Sequence, residues 1–310
     1  MVTTKEKIIA ALKNREPSDQ PESLADASEK GGVGKTSVTS GLIAVAAEMG
    51  LEVVGGDLDP RATLTKELGV TDPEFSINDV MYVDPEEPPT DPAELVHDAL
   101  VPAGPGWPSN VRVLASERAL GRRELDPTPG MELRLRRALQ GLKGDVDLVI
   151  LDAPPRPGGK LMGAILIAAN RVLIPATLTE DGYDGAVELM RSISHIAAPG
   201  GLNPNLVVAG VVFSIVPKRG EMRDVHFHHE KAIREEFGDL VMGDPEDVYW
   251  SGEGGVLRPD GPVIRNYAIR EECRTACIPI TAAPGREAKR LVSSYEQVLL
   301  RSLAAKGGVA

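Results

Sequence analysis

Apolar residues along this 310-residue chain gather into short Val-, Leu- and Ile-rich runs separated by stretches of helical periodicity. Leu51 to Gly55, Val111 to Ala115, Val146 to Leu151, Arg171 to Pro175 and Leu206 to Phe213 read as strands. Helical spacing predicts helices over Thr36 to Met49, stopped by Gly50, and over Ala93 to Leu100, Glu132 to Leu142, Gly185 to Ile196 and Arg223 to Phe237. A closing helix, Arg286 to Ala304, sets Ala288, Leu291, Val292, Tyr295, Val298, Leu299 and Leu303 on one face. Arg286, Lys289, Arg290 and Arg301 lie around its other side, the pattern of a docking helix with a solvated basic face. Strands alternating with helices predict an α/β fold, a doubly wound, mostly parallel sheet with helices on both faces.

Lys5 to Lys13 reads as a short helix and Asn14 to Pro21 as a polar linker. Residues 1–21 are therefore expected to form an N-terminal extension and residues 22–310 one domain. Asp84 to Pro92 and Pro102 to Pro108 predict surface loops, and Met242 to Gly261, which carries Tyr249-Trp250, a third. With 42% apolar and 26% charged residues the chain is not of the disordered class, and no apolar run is long enough to span a bilayer. A polar segment follows directly on Ile8-Ile9-Ala10-Ala11-Leu12, which argues against a secretory leader. The two cysteines suit a reducing compartment, so a cytoplasmic protein is expected. A net charge of −12 excludes a surface that is basic throughout, but from Val256 onward 9 Lys+Arg stand against 5 Asp+Glu. Polyanion binding, if present, is expected on that C-terminal part.

The segment richest in chemistry is Lys30-Gly31-Gly32-Val33-Gly34-Lys35-Thr36-Ser37, between an expected strand and an expected helix. It fits the P-loop pattern G-x-x-x-x-G-K-[ST] only with Glu29 or Lys30 in place of the first Gly, so it is a variant. Glycines let backbone N–H groups turn inward around phosphate oxygens, and the helix N-terminus adds partial positive charge. Lys35 would reach the β/γ phosphates and Thr36 would offer a hydroxyl to Mg²⁺. Lys30 is a second lysine that an ordinary P-loop does not need, and it could reach phosphate in a partner subunit as an arginine finger does. Asp57-Leu58-Asp59-Pro60 follows a strand whose C-terminal end should face the ligand crevice. Two carboxylates there could divide the work between Mg²⁺-bound water and the attacking water. Val146 to Asp152 is an apolar strand ending in a carboxylate, the arrangement that holds Mg²⁺ in P-loop enzymes.

Taken in order and spacing, Lys30 to Ser37, Asp57 to Pro60, Leu148 to Pro155 and Val172 to Pro175 resemble the ParA-type partition ATPases of the ParA/MinD group, whose P-loop is a deviant Walker A motif. Weaker similarity runs through Ile233 to Gly238 and Val263 to Asn266 into the final helix, so the resemblance covers the chain from about Leu24 onward. It implies a P-loop NTPase fold that uses ATP and Mg²⁺. Gly31, Gly32, Val33, Gly34, Lys35, Thr36 and Ser37 would bind nucleotide, and Thr36, Asp57 and Asp152 would support Mg²⁺. Lys30, Lys35 and Asp59 would be catalytic, with Asp59 positioning the hydrolytic water and Lys30 reaching the phosphates of the opposite subunit of an ATP-sandwich homodimer. The resemblance further implies that the ATP-bound dimer binds DNA without sequence preference, with Arg265, Arg270, Arg274, Arg286, Lys289 and Arg290 as the candidate phosphate contacts. A centromere-binding ParB-like partner would stimulate hydrolysis. The protein would be nucleoid-associated and would move plasmid or chromosome cargo.

Several residues depart from that pattern. Asp26 falls inside the first strand, which should be apolar on both faces. Arg61 stands where the family usually has Gln, Arg156 and Lys160 change the charge of a switch region, and Ile264 replaces the Pro beside the adenine site. The N-terminal extension is too short for a helix-turn-helix domain. A MinD-like membrane-associated ATPase is the alternative, but it needs a bulky terminal amphipathic helix. The chain ends Ala304-Ala305-Lys306-Gly307-Gly308-Val309-Ala310, so no membrane is expected. A metal-cluster carrier would use Cys273 and Cys277, whose spacing favours packing or free thiols. His226, His228 and His229 lack companion ligands and read as a solvated face.

Overall fold

Seven strands pair into one sheet: β1 (Glu22–Asp26), β2 (Val53–Asp57), β3 (Leu100–Pro102), β4 (Val111–Leu114), β5 (Leu148–Asp152), β6 (Arg171–Ala176) and β7 (Val207–Phe213), in the order β3-β4-β2-β5-β1-β6-β7. All pairings are parallel except that of the edge strand β3 with β4. The computed structural model describes residues 3–15, 18–84, 86, 88–156, 158–218, 220–249 and 261–306. Among these, the helices are α1 (Thr4–Lys13), α2 (Lys35–Glu48), α3 (Thr63–Glu67), α4 (Ile77–Met81), α5 (Pro92–Ala99), α6 (Arg134–Gly141), α7 (Lys160–Ala168), α8 (Glu180–Ile196), α9 (Asp224–Phe237), α10 (Pro245–Tyr249), α11 (Ala268–Ala276) and α12 (Arg286–Ala304).

Because side chains alternate across a strand, the sheet sends its residues into two cores. Ala25, Val54, Val149, Leu151, Val172 and Ile174 pack with α4 to α8 on one face. Leu24, Val53, Leu148, Ile150 and Leu173 pack with α1, α2, α3, α11 and α12 on the other. The expected doubly wound α/β architecture is thus present, and burial of each such Leu, Ile or Val contributes about 1.5–3 kcal/mol. Gly41 of α2 is needed for the second core to close: a Cβ there would lie 2.3 Å from the Tyr295 ring of α12.

Strand β1 runs from Glu22 to Asp26, and its polar residues have specific partners. Glu22 pairs with Arg171 at 2.8 Å, and the Ser23 amide and hydroxyl both donate to Asn170 Oδ1. Strand β2 starts two residues later than the apolar run suggests and takes in Gly55-Gly56-Asp57, because its partners, not its composition, decide its span. Helix α1 is no loose extension: Ile8 is fully buried and the helix packs on α12. Helices α3, α4 and α7 were not foreseen. The first two are short, and Lys160 to Ala168 is apolar without clear periodicity because α7 is buried nearly all round. The expected 242–261 loop opens with α10, and Trp250 with residues 251–260 lies outside the described residues.

Candidate functional site

The P-loop joins β1 to α2 at the C-terminal edge of the sheet. Gly32 and Gly34 hold φ values of 78° and 83°, the left-handed region that glycine adopts without penalty, and Gly34 caps α2. That geometry leaves the first turn of α2 with free amides for an anion. The Lys35 side chain folds back along the loop and its Nζ donates to the Lys30 carbonyl at 2.9 Å. Burial lowers the Lys35 pKa, and the carboxylates of Asp152, Asp26 and Asp59 oppose that shift. The loop's outer wall is Ser214, whose hydroxyl donates to Val33 O at 2.6 Å, and Ile215, whose side chain covers Gly34.

Strand register brings three carboxylates side by side. Asp152 of β5 pairs with Asp57 of β2 on one flank and with Asp26 of β1 on the other. All three side chains lie on the α2 face and are buried. Thr36 Oγ1 donates to Asp152 Oδ2 at 2.6 Å, and Thr39 Oγ1 donates to Asp26 Oδ2 at 3.2 Å. Asp57 accepts from the Thr65 amide and hydroxyl, both at 2.8 Å, and from the Asp59 amide. Burial pushes the Asp57 pKa up to about 6 against those hydrogen bonds. Asp152 is raised well above the usual range by burial and by Asp57, and Asp26 by burial and by Asp152. Asp59 is less enclosed, turned by bonds from the Arg61 amide to its Oδ1 and from Ser116 Oγ to its carbonyl.

This donor set suits Mg²⁺. The Thr36 hydroxyl and the Asp152 carboxylate are hard oxygens in contact, and Asp152 Oδ1 is buried without a hydrogen-bond partner. Among the described residues no group of three or more His, Cys, Asp or Glu side chains is set to hold a metal by itself. A cation taken up with nucleotide phosphates and water fits such a site better than a protein-caged one. Lys30 is partly exposed, packs its stem over Gly185 and lies 3.9 Å from Glu188 of α8.

A family model described as an AAA domain matches residues 22–208. The chain is 31% identical over 225 residues to the chromosome partitioning protein ParA of Caulobacter vibrioides, covering 70% of this chain and 77% of that one. The chain belongs to the ParA-type partition ATPases. A crystal structure of cobyrinic acid a,c-diamide synthase from Mycobacterium smegmatis with bound ATP analog and magnesium is 29% identical, with a TM-score of 0.60 over 73% of this chain and 86% of that one. Apo McdA from Cyanothece superposes with a TM-score of 0.70 over 90% of this chain and 99% of that one at 17% identity, a likeness of fold.

Against the ParA-type expectations, the residues at positions 30–37, 57, 59 and 152 converge at one edge of the sheet, whereas the six basic candidates do not form one surface. Arg265 is 2% exposed and donates to the carbonyls of Pro217, Asp247 and Val248. Arg270 is enclosed against Glu67 and Ser40. Both are interior groups, and the run of charge in the sequence was misleading about them. Arg274 is exposed beside Glu271, Arg286 and Lys289 are exposed, and Arg290 is half-buried with a bond to Tyr267 Oη. Ile264, in place of the family's Pro, donates its amide to Phe213 O at 2.9 Å, a bond that proline could not make. Cys273 is buried, and Cys277 Sγ donates to Lys66 O. Sequence reasoning missed Ser214 and Ile215 at the P-loop wall and Thr65 beneath Asp57. A polar cavity of about 620 Å³ at the opposite edge of the sheet is lined by Arg15, Gln20, Glu22, Asn170 and Arg171, whose polar groups mostly bind one another.

Proposed function

We propose that this protein is a Mg²⁺-dependent ATPase whose ATP-bound homodimer binds DNA without sequence preference and segregates plasmid or chromosome cargo with a ParB-like partner. The observation that carries the reading is the convergence of the Lys30-to-Ser37 loop with Asp57, Asp59 and Asp152 in a ParA-type chain. The loop amides and Lys35 bind the phosphates, and Lys35 leaves the Lys30 carbonyl to do so. Thr36 and Asp152 would hold Mg²⁺, which when bound would supply positive charge against the nucleotide phosphates. Asp59, tethered at its backbone by Asp57 and Ser116 and turned by the Arg61 amide on its Oδ1, orients the attacking water. Lys30 sits at the rim and is free to leave Glu188 for the phosphates of a second subunit.

Arg274, Arg286 and Lys289 are the surface cations left for DNA phosphates. The protein would accordingly be cytoplasmic and nucleoid-associated. No helix of the described residues is long and apolar enough to cross a membrane. The test is binding to random-sequence duplex DNA without nucleotide, with ADP and with ATP, at two salt concentrations, alongside sedimentation of the protein alone. Binding by a dimer that needs ATP and weakens with salt is expected. ATP-driven dimerisation with no DNA binding in any state would refute the DNA reading and move the cargo to a membrane or protein surface.

A further inference from the structure

Arg270 comes from the basic C-terminal part of the chain, yet it ends beneath the segment that carries Asp59. The chain leaves Asp59 through a tight turn, closed by the Ala62 amide on Asp59 O at 2.8 Å with Ala62 at a φ of 55°, and enters α3. A five-residue helix has too few internal bonds to hold its own place. The structure pins it at its middle and at its end. At its middle, Asp57 accepts the Thr65 amide and hydroxyl, and the same hydroxyl accepts the Ser116 amide at 2.9 Å. At its end, Glu67 Oε1 accepts from Arg270 Nη2 and from Ser40 Oγ, and Arg270 Nη2 also bonds Ser40 Oγ.

Ser40 lies on α2, five residues beyond Lys35, so this network joins the helix of the P-loop to the helix that continues from Asp59. Glu67 is 3% exposed and the Arg270 side chain 12%. A buried ion pair of this kind is a poor source of stability, since an apolar pair of similar volume often does as well or better. It is a strong source of register, because sliding α3 would separate two charges in a region of low dielectric. We propose that Glu67 and Arg270 are positioning residues that set the Asp59 turn against the P-loop helix, so that Arg270 serves ATP hydrolysis and not DNA contact; this rests on the ATPase reading above.

The test compares wild type with the Glu67→Met/Arg270→Met double variant, which replaces the pair by apolar side chains, and with Glu67→Gln and Arg270→Lys. Nucleotide affinity, kcat, KM, thermal midpoint and the salt slope of DNA binding are measured on each. Because a 1 Å misplacement costs up to about 10²-fold in rate, the double variant is expected to fold, to bind Mg²⁺-ATP within about 3-fold of wild type and to lose about 10–100-fold in kcat. Its DNA salt slope should not change. Arg270→Lys should recover much of the rate, since the bonds to Glu67 and Ser40 both run through one nitrogen. Where the double variant does not fold, Glu67→Gln, which keeps the shape and removes the charge, is expected to show the same split.

Wild-type kcat in the folded variants would overturn the proposal. So would a rate loss matched by an equal loss of nucleotide affinity, or a salt slope lower by about 1 with hydrolysis unchanged, the mark of a phosphate contact. A wild-type protein that does not hydrolyse ATP would instead overturn the ATPase reading on which the proposal rests.

Discussion

Replacing Asp26 by Val should stabilise the nucleotide-free protein. Asp26 is fully buried, its Oδ1 has no hydrogen-bond partner, and its Oδ2 accepts one bond, from Thr39 at 3.2 Å. An unsatisfied buried oxygen costs about 1–3 kcal/mol and the bond to Thr39 returns about 0.5–1.5 kcal/mol. Val is close to Asp in volume, adds apolar contact, and leaves the Thr39 hydroxyl able to bond the carbonyl one turn back in α2. The variant should therefore gain about 0–2 kcal/mol even where the wild-type carboxyl is neutral. Burial, followed by Asp152, raises the Asp26 pKa well above its ordinary value, while Lys35 and Thr39 oppose the shift.

The sign follows from which state holds the proton. Above the unfolded-state pKa near 3.9 the unfolded chain has lost the Asp26 proton and the native chain keeps it. Wild-type stability from this group therefore falls as pH rises, by up to about 1.4 kcal/mol per unit, until the native carboxyl ionises. Asp26→Val has no such loss, so the gap between the two should widen from pH 5 to pH 8. Urea unfolding of both proteins at the two pH values, without nucleotide or divalent cation, measures it. A variant less stable than wild type at both pH values, or a gap that does not change, would show that Asp26 is ionised and paired with Lys35 in the folded state.

Lys35→Ala removes a charge-assisted contact to phosphate and should weaken nucleotide binding about 10–150-fold, read by calorimetry. Asp59→Ala should slow hydrolysis about 10²–10⁴-fold with binding retained, seen as a long-lived ATP-bound dimer in sedimentation. Lys30→Ala should leave monomer affinity for ATP within a few-fold and abolish dimerisation or lower turnover by about 10³–10⁵-fold, checked by sedimentation and phosphate release. Gly41→Ala drives a methyl group into the Tyr295 ring and should destabilise the fold by about 1–3 kcal/mol in urea titrations.

What the chain determines locally was legible without coordinates. The P-loop is a contiguous run of glycines and cations before a helix, and Asp57 and Asp152 end strands whose apolar residues announce them. Periodicity and turn chemistry are properties of neighbours in sequence, and they place the P-loop and the carboxylates at the strand ends. The row formed by Asp57, Asp152 and Asp26 was not visible, because it depends on which strands pair and in what register. Helix α1 looked like an appendage, since nothing near Ile8 in sequence shows that α12 lies against it. The basic residues of the C-terminal part were the least readable. An arginine's neighbours in the chain do not say whether it meets water or a carboxylate 203 residues away, as Arg270 meets Glu67. The tertiary fold decides that, by enclosing the guanidinium and bringing it to Glu67 of α3 and Ser40 of α2.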